Sequence, residues 1–498
     1  MFRMAAVAVL GLPAFAAATV SDQTAAAVML QEEQPARPEP SGLPRLQLAQ
    51  FELPRPSPGT QFPPPPPGSE AAARLFPQRL TYQWALGSES DITYRTDPDL
   101  NKRVRDNSLI LGPQLNGYIT YRPSDWLEAT LEMLIEREIA AREVHTLTLP
   151  SGEVRVAEKR QLSLAIDQAF VKLKPPGKPY ELWTGRINFE DDRHWLYDTS
   201  LDVALVRYRQ GYFQAQASMG RKDMVDGDLL RHVPTTRINN YILYMDYRGV
   251  EDVKLGAYTI MRDDLDRRNE GRPRLMGVNA LGAPSRAFSY WGEFAVLRGR
   301  DEAARRFSGH AFDVGGTYRF LGLPFFPNVT LAYAAATGDR DPADNVNNEF
   351  RQTGLHSNES RFAGVAKFKT YGETLDPDLS NLKIVTAGLG FIPTPNVTVD
   401  VVLHGYRLDR LADEIRGSAI TAQMAQVDSD LSRNVGRALD VVFGFRSLFG
   451  YRRLGMDLRM GWFFPGKAFL RNDGTDTNPD IQRADRAFSM MAKFWWIW

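Results

Sequence analysis

Charged residues occupy alternate positions in segments that are otherwise apolar. Arg453, Asp457 and Arg459 share one face of an extended segment. Met456 and Leu458 share the opposite face. Guanidinium groups in a row can bind carboxylates through paired hydrogen bonds, and they can also neutralise acidic neighbours within the protein. The pattern therefore predicts either an anion-binding surface or a set of structural ion pairs, and both interpretations stay open at this point.

The same alternation recurs along the chain between turns, which predicts an all-β protein. We predict eighteen strands, near residues 78–95, 108–122, 126–139, 160–173, 180–189, 200–209, 212–221, 239–248, 253–262, 274–281, 287–299, 307–320, 328–338, 382–392, 397–408, 436–447, 451–464 and 484–498. The alternation is weakest in 274–281, so sixteen strands is the alternative count.

Connection length follows strand parity. The connections after even-numbered strands are short, as at 122–125 and 249–252, whereas those after odd-numbered strands are long and polar, notably 339–381 and 409–435. Short turns on one rim and long loops on the other are typical of bacterial outer-membrane barrels. We therefore predict a transmembrane antiparallel β-barrel over residues 75–498, located in the cell outer membrane.

The last segment, 487–498, fits a closing barrel strand. Phe488 and Trp496 fall on one face, while Lys493 falls on the other. A lysine in so apolar a strand is favourable when one face meets lipid and the other meets water. From this segment alone, an edge strand of a soluble sandwich is the alternative.

The charged rows must face the barrel interior, because a charge at the bilayer midplane costs ~2–4 kcal/mol. The cations of this predicted lumen are Arg186, Arg248, Arg319, Arg446, Arg453, Arg459 and Lys493. The acids include Glu132, Asp167, Asp246, Glu293, Asp440 and Asp457. A barrel of this size leaves a water-filled channel unless loops or side chains narrow it. Lumen cations predict selection of anionic solutes, and bracing of the wall by ion pairs is the alternative.

The N-terminal part is expected to lie outside the barrel. Residues 1–18 have the pattern of a signal peptide, with Arg3, an apolar run and small residues at the end. Residues 19–74 are proline-rich and predict a disordered periplasmic segment. Basic and acidic residues number 60 each, which gives no indication of a nucleic-acid partner, and the absence of cysteine excludes thiol chemistry.

We predict neither enzymatic activity nor a cofactor. The six histidines are scattered, and the sequence contains no nucleophile elbow, metalloprotease or phosphate-loop motif. The acidic segments 339–344 and 473–480 could take Ca²⁺ at the surface, but solvated turns are the simpler interpretation.

Several segments look like those of the alginate-export outer-membrane porin family, namely 185–198, 350–361, 371–373 and 404–415. The resemblance runs over most of residues 75–498. It implies a monomeric barrel that exports an anionic exopolysaccharide, such as an alginate-like polyuronate, through an arginine-lined pore. The implied partners are outer-membrane lipid, lipopolysaccharide, the polysaccharide and periplasmic export components. A porin for uptake of small acidic solutes is the alternative function.

The resemblance also nominates site residues. The matched motif positions imply that Arg186, Arg193, Arg351 and Arg361 are pore cations, and strand geometry adds Arg453 and Arg459. Asp191, Asp192 and Asp198 are the nearby carboxylates that the family pattern implies, and Asp167 and Asp457 follow from the predicted lumen faces.

One connection departs from the family pattern. The family resemblance implies a long periplasmic turn between strands sixteen and seventeen that covers the pore, whereas this chain has only about residues 447–450 there. We therefore expect the long loops 339–381 and 409–435, and the 140–159 segment, to fold inward and narrow the channel instead.

Overall fold

The computed structural model describes residues 81–102, 106–142, 146–148, 154–156, 160–222, 224–225, 227–230, 237–265, 271–422, 424, 432–472 and 481–497. The predicted signal peptide, 1–18, and the predicted proline-rich segment, 19–74, lie outside these residues. Within the described residues, no helix is long and apolar enough to cross a bilayer.

Eighteen strands form a closed antiparallel barrel in which each strand pairs with the next along the chain. In chain order they are β1 Thr81–Thr96, β2 Ser108–Ser124, β3 Leu127–Arg142, β4 Arg160–Leu173, β5 Tyr180–Glu190, β6 Asp198–Gln210, β7 Phe213–Arg221, β8 Ile238–Val250, β9 Val253–Asp264, β10 Arg272–Ser285, β11 Phe288–Arg300, β12 His310–Arg319, β13 Asn328–Ala336, β14 Leu382–Thr394, β15 Val397–Leu408, β16 Asn434–Phe445, β17 Leu454–Pro465 and β18 Ala487–Ile497. β18 closes the barrel by pairing with both β17 and β1. The predicted all-β class and the strand count of eighteen are confirmed.

Shorter elements lie in the connections. They are the strand pairs Thr146–Thr148 with Val154–Val156, Arg306–Phe307 with Val346–Asn347, Glu359–Ser360 with Phe368–Lys369, and Leu470–Asn472 with Ile481–Arg483, and the 3-10 turns Leu448–Gly450 and Lys467–Phe469.

The two faces of each strand differ in burial as the alternation predicts. On β17, Asp457 and Arg459 are buried within the barrel. The apolar side chains of the other face are exposed where lipid would lie, and Leu331 on β13 and Val385 on β14 are 64% and 58% exposed. Apolar groups on the outside and charges on the inside are the arrangement that a membrane requires.

Connections on one rim are short, and the two-residue hairpin turns are the clearest case. Gly211 between β6 and β7 has φ +57, a conformation that a side chain disfavours, so glycine suits this turn. Trp126 and Tyr247 lie exposed near the same rim, where aromatic rings favour the membrane interface. The long connections, including 337–381 and 409–433, all lie on the other rim. The predicted parity of connection length is therefore confirmed.

Candidate functional site: the loop-narrowed lumen

Residues 350–379, here called the lumen loop, cross the barrel interior. Phe362 and Phe368 pack with Val402 of β15 and Val442 of β16. The Phe362 ring also stacks on Trp291 of β11, with ring centroids 5.8 Å apart. Because these partners face inward from different parts of the wall, the loop lies within the lumen. The expected inward fold of the 339–381 connection is confirmed.

The tip of the lumen loop extends down to the short-turn rim. The Val365 amide donates to Thr398 Oγ1 at 3.0 Å, and its carbonyl accepts from Arg446 at 2.7 Å. Thr398 and Arg446 lie at the short-turn ends of β15 and β16. A Cβ at Gly364 would lie 2.1 Å from an Asp400 carboxylate oxygen, so any larger residue there would displace the Asp400 side chain. The loop therefore narrows the lumen over much of its height.

A second inward segment, 191–197, meets the lumen loop from the opposite side. The Asp191 carboxylate accepts hydrogen bonds from the amides of 193, 195, 196 and 197, which fixes the turn. Trp195 Nε1 donates to the Tyr371 hydroxyl at 2.9 Å, and Tyr371 donates to Asp313 at 2.9 Å. Trp195 and Tyr371 are almost fully buried. The two segments thus form one packed unit inside the barrel.

His194 connects the two inward segments. Its Nε2 lies 2.5 Å from Glu190 Oε1, and its Nδ1 lies 2.7 Å from Asp198 Oδ2. The backbone amides of Ser357 and Asn358, in the lumen loop, donate to the His194 carbonyl. Burial opposes a charge on the ring, but the hydrogen bonds to Asp198 and Glu190 raise the pKa of His194 to about 9.

We expect the 190–198 turn, which supports the lumen loop, to loosen as pH rises through about 9. The pKa of His194 is higher in the folded protein than its ordinary 6.5, so the attraction of its charge to Glu190 and Asp198 stabilises this turn fully below 6.5 and no longer does so above about 9. The stabilising free energy that the protonated His194 ring contributes, and that is lost over this pH range, is on the order of 3 kcal/mol. Single-channel recordings across this range should show rising open-channel noise.

The control for this pH effect is His194→Gln, which keeps a hydrogen-bonding side chain but cannot carry the charge. This variant should be noisy at every pH. Equal noise of the unaltered protein at neutral pH and above the pKa would contradict the role given to the imidazolium.

Three of the nominated arginines are fully engaged by other groups. Arg186 donates to both Asp202 oxygens, at 2.8 and 3.0 Å, and to the carbonyls of Ile166 on β4 and Val225 in the connection after β7. Arg193 donates to Asp313 at 2.9 Å with its guanidinium over the Trp291 ring. Arg351 pairs with Glu302 and Glu349 on the long-loop side. The structure does not bring these three arginines together.

The other three nominated arginines differ in their surroundings. Arg453 lies exposed in the short turn before β17. Arg459 pairs with Glu359 of the lumen loop at 3.2 Å. Arg361, in the lumen loop, has no hydrogen-bond or ion-pair partner among the residues that the structure describes, and its Nη1 is buried. Burial and the charge of Arg446 lower the pKa of the Arg361 guanidinium from its ordinary value.

The nominated carboxylates also fall in different places. Asp457 accepts from Arg446 at 2.8 Å and lies level with Lys493 of β18. Asp191 shapes the inward turn, Asp198 contacts His194 and Ser357, and Asp192 pairs with Lys254. Asp167 accepts from Ser200 at 3.1 Å. Of these five, Asp457 interacts electrostatically with Arg361.

A row of acids lines the wall of β1 and β3, and the sequence prediction named little of it. Glu136 interacts electrostatically with Asp91, Glu138 and Glu89, all of which share the inward face of these strands. Lys493 of β18 pairs with Glu89 at one edge of the row. The signal was present in the sequence, because Glu89 and Asp91 are two positions apart and so share a strand face.

The described residues contain no group of three or more acidic or histidine side chains that could hold a metal ion. In the 339–344 segment, Asp339 pairs with Arg305 at 2.8 Å and Asp344 accepts from the Val346 amide. The 473–480 segment lies outside the described residues.

Comparisons with known proteins agree with this architecture. Residues 77–482 match the alginate export family. No curated protein matches the sequence. The fold is similar to that of the outer membrane protein OpdK from Pseudomonas aeruginosa, with a TM-score of 0.51 at 12% identity over 84% of this chain and 99% of that one. OccK2 (OpdF) of the same organism, solved in complex with glucuronate, gives a TM-score of 0.50 at 11% identity over 84% and 97%.

At such low identity, the structural likeness shows the fold alone. The family match spans most of the chain and includes both inward segments. The chain therefore belongs to the alginate export family, and it forms a porin-type β-barrel in the outer membrane.

Proposed function

We propose that this barrel exports an anionic exopolysaccharide of the polyuronate class, such as alginate. Arg361 is the observation that carries the proposal. Its guanidinium lies inside the lumen without a carboxylate partner among the described residues, on a loop that belongs to the family match. A cation without a hydrogen-bonded carboxylate partner attracts an anionic solute, because no internal ion pair has to be broken before the solute binds.

Other cations lie near Arg361 and would offer successive contacts to a chain of carboxylates. Arg446 interacts with Arg361 electrostatically, and Lys493 lies level with Asp457 on the neighbouring strand. Arg459 follows two positions further along β17. Each of these three cations has an internal acidic partner, so each would bind a sugar carboxylate weakly. Weak, repeated contacts let a charged polymer move on.

The acidic row on β1 and β3 would keep the polymer on the side of the lumen loop. Carboxylates of the sugar are repelled by Glu89, Asp91 and Glu136, whereas counter-cations are attracted to them. A polymer would therefore pass with its carboxylates turned toward Arg361. We further propose that the barrel acts as a monomer and receives the polymer from periplasmic export components.

Current block by oligouronates in a planar bilayer tests this function. A long polymannuronate or polyguluronate oligomer should block the open channel reversibly, with a dwell time that grows with oligomer length, because more carboxylates then contact lumen cations. A neutral oligosaccharide of equal length is the control. Cation selectivity without any block by oligouronates would contradict the proposal.

A porin for uptake of small acids is the second candidate function. The observation that favours it is the lumen loop itself, which occupies part of the barrel interior. OccK2, which shares the fold, was solved with glucuronate, a single uronic acid. Single uronates would then permeate without measurable block, and long oligomers would neither enter nor interrupt the current.

A further inference from the structure

We propose that a groove on the outside of the barrel binds the phosphorylated headgroup of a glycolipid in the outer leaflet. This site is separate from the lumen and independent of the export function. The groove crosses β13 to β16 and has a volume of about 600 Å³. Its lining residues include Tyr333, Lys383, Val385, Gly405, Arg407, Arg433 and Arg437.

Register and burial place the groove on the lipid-facing side. Tyr333, Val385, Gly405 and Arg437 are direct neighbours across the four strands, so they share one face of the sheet. The alternate face carries Tyr406, which is 3% exposed and packs inside the barrel. The four aligned residues therefore point away from the lumen.

Four cations border this groove. Lys383 and Arg407 are directly opposite each other in register, and Asp409, which pairs with Lys383 at 2.8 Å, offsets part of this like-charge repulsion. Within the described ranges, Arg407, Arg433 and Arg437 have no carboxylate partner. The groove thus has unneutralised positive charge on a surface that is otherwise apolar.

The groove owes its shape to a β-bulge and a glycine. Arg407 pairs with Asn434 and Tyr406 with Gly436, so Val435 is an extra residue on β16. Gly436 has φ +134, and a Cβ there would lie 2.3 Å from the Phe464 carbonyl, which explains the glycine at the bulge. At Gly405 a Cβ would have no heavy atom within 4 Å, so this glycine leaves the floor of the groove open.

The position of the groove selects the ligand class. Lys383 and Arg407 lie next to the long-loop ends of β14 and β15, at the level of the outer headgroups. Deeper on the same face, Leu403 is exposed, as Val385 is within the groove. Guanidinium groups bind phosphate through paired hydrogen bonds. Cations above and apolar side chains below match a phosphorylated sugar that carries acyl chains.

Native mass spectrometry of the full chain in detergent tests this site, with bisphosphorylated lipid A as the probe. The unaltered protein should retain one lipid A. The double variant Arg407→Gln, Arg437→Gln should bind it about tenfold more weakly, or worse, for each guanidinium removed. Gly405→Leu fills the groove without altering any charge and should also abolish retention. Arg137→Gln removes an exposed arginine of β3, outside the groove, and should bind normally.

The remaining probes separate the sources of phosphate. Dephosphorylated lipid A, phosphatidylglycerol and inorganic pyrophosphate should each bind much more weakly than lipid A. Equal retention of phosphatidylglycerol or of pyrophosphate would overturn the glycolipid assignment. Normal lipid A binding by the groove variants, in protein whose electrophoretic mobility still changes on heating as that of a folded barrel does, would overturn the site itself.

Discussion

Deleting residues 350–379 is expected to raise the single-channel conductance at least about threefold, because an eighteen-stranded barrel without an inward loop encloses a wide aqueous channel. The ends of this segment are adjacent, since Ser380 Oγ donates to Glu349 Oε1 at 2.8 Å. A short glycine linker can therefore join Glu349 to Ser380 without straining β13 or β14. Planar-bilayer recordings of the refolded barrel give the conductance directly.

The barrel should tolerate this deletion, because all eighteen strands are paired by backbone hydrogen bonds that the loop does not supply. Arg351→Gln is the control, since it changes the charge of the same segment and leaves the loop in place. This variant should keep nearly the original conductance. A deletion variant that folds and conducts no better than the full chain would show that another part of the lumen sets the resistance.

The strand plan could be predicted from the sequence because it depends on local patterns. Alternation places Asp457 and Met456 on opposite faces whatever the rest of the chain does. Connection length likewise assigns each end of a strand to one rim of the barrel. These features concern residues that are close in sequence, so the eighteen strands and their faces needed no tertiary information.

The hydrogen-bond partners of Arg186 could not be predicted from such local patterns. β4 and β5 stop pairing beyond Ala169 and Arg186, and the segment near 228 bonds to β4 in place of β5. Leu229 donates to the Leu164 carbonyl at 2.8 Å, and Arg186 donates to the carbonyls of Ile166 on β4 and Val225 in the inserted segment. Such pairing depends on a connection distant in sequence, which alternation does not reveal.

The paths of the two inward segments could not be predicted from the sequence either. Loop residues have no two-residue period, so the positions of Glu359 and Arg361 follow only from contacts with β17 and its neighbours. The sequence led us to expect that long connections fold inward and narrow the lumen, because the 447–450 turn is too short to cover the pore. Which arginine would lack an internal partner depends on the path of that connection, and only the structure gives it.

Arg361→Glu is expected to make the lumen loop repel anionic solutes instead of attracting them. The change replaces a cation that has no ion-pair partner among the described residues by an anion near Asp457 and Glu190, two acids that already interact with this position. The affinity of an oligouronate for the open channel should fall about 10- to 100-fold, which is the range expected when a hydrogen bond to a charged group is lost. The reversal potential in a salt gradient should shift toward cation selectivity. The fold should persist, because no hydrogen bond of Arg361 within the described residues is broken.

Arg453→Glu is the matched control, because it makes the same change of charge at an exposed position on the short-turn rim. Salt screens an exposed charge beyond ~10 Å at 0.1 M, so this variant should alter block and selectivity little. Arg361→Lys keeps the charge but loses the planar pair of donors. This variant should therefore retain anion selectivity, while each blocking event by an oligouronate should have a shorter dwell time. Equal effects of Arg453→Glu and Arg361→Glu would mean that the net charge of the channel, rather than the position of Arg361, selects the anion.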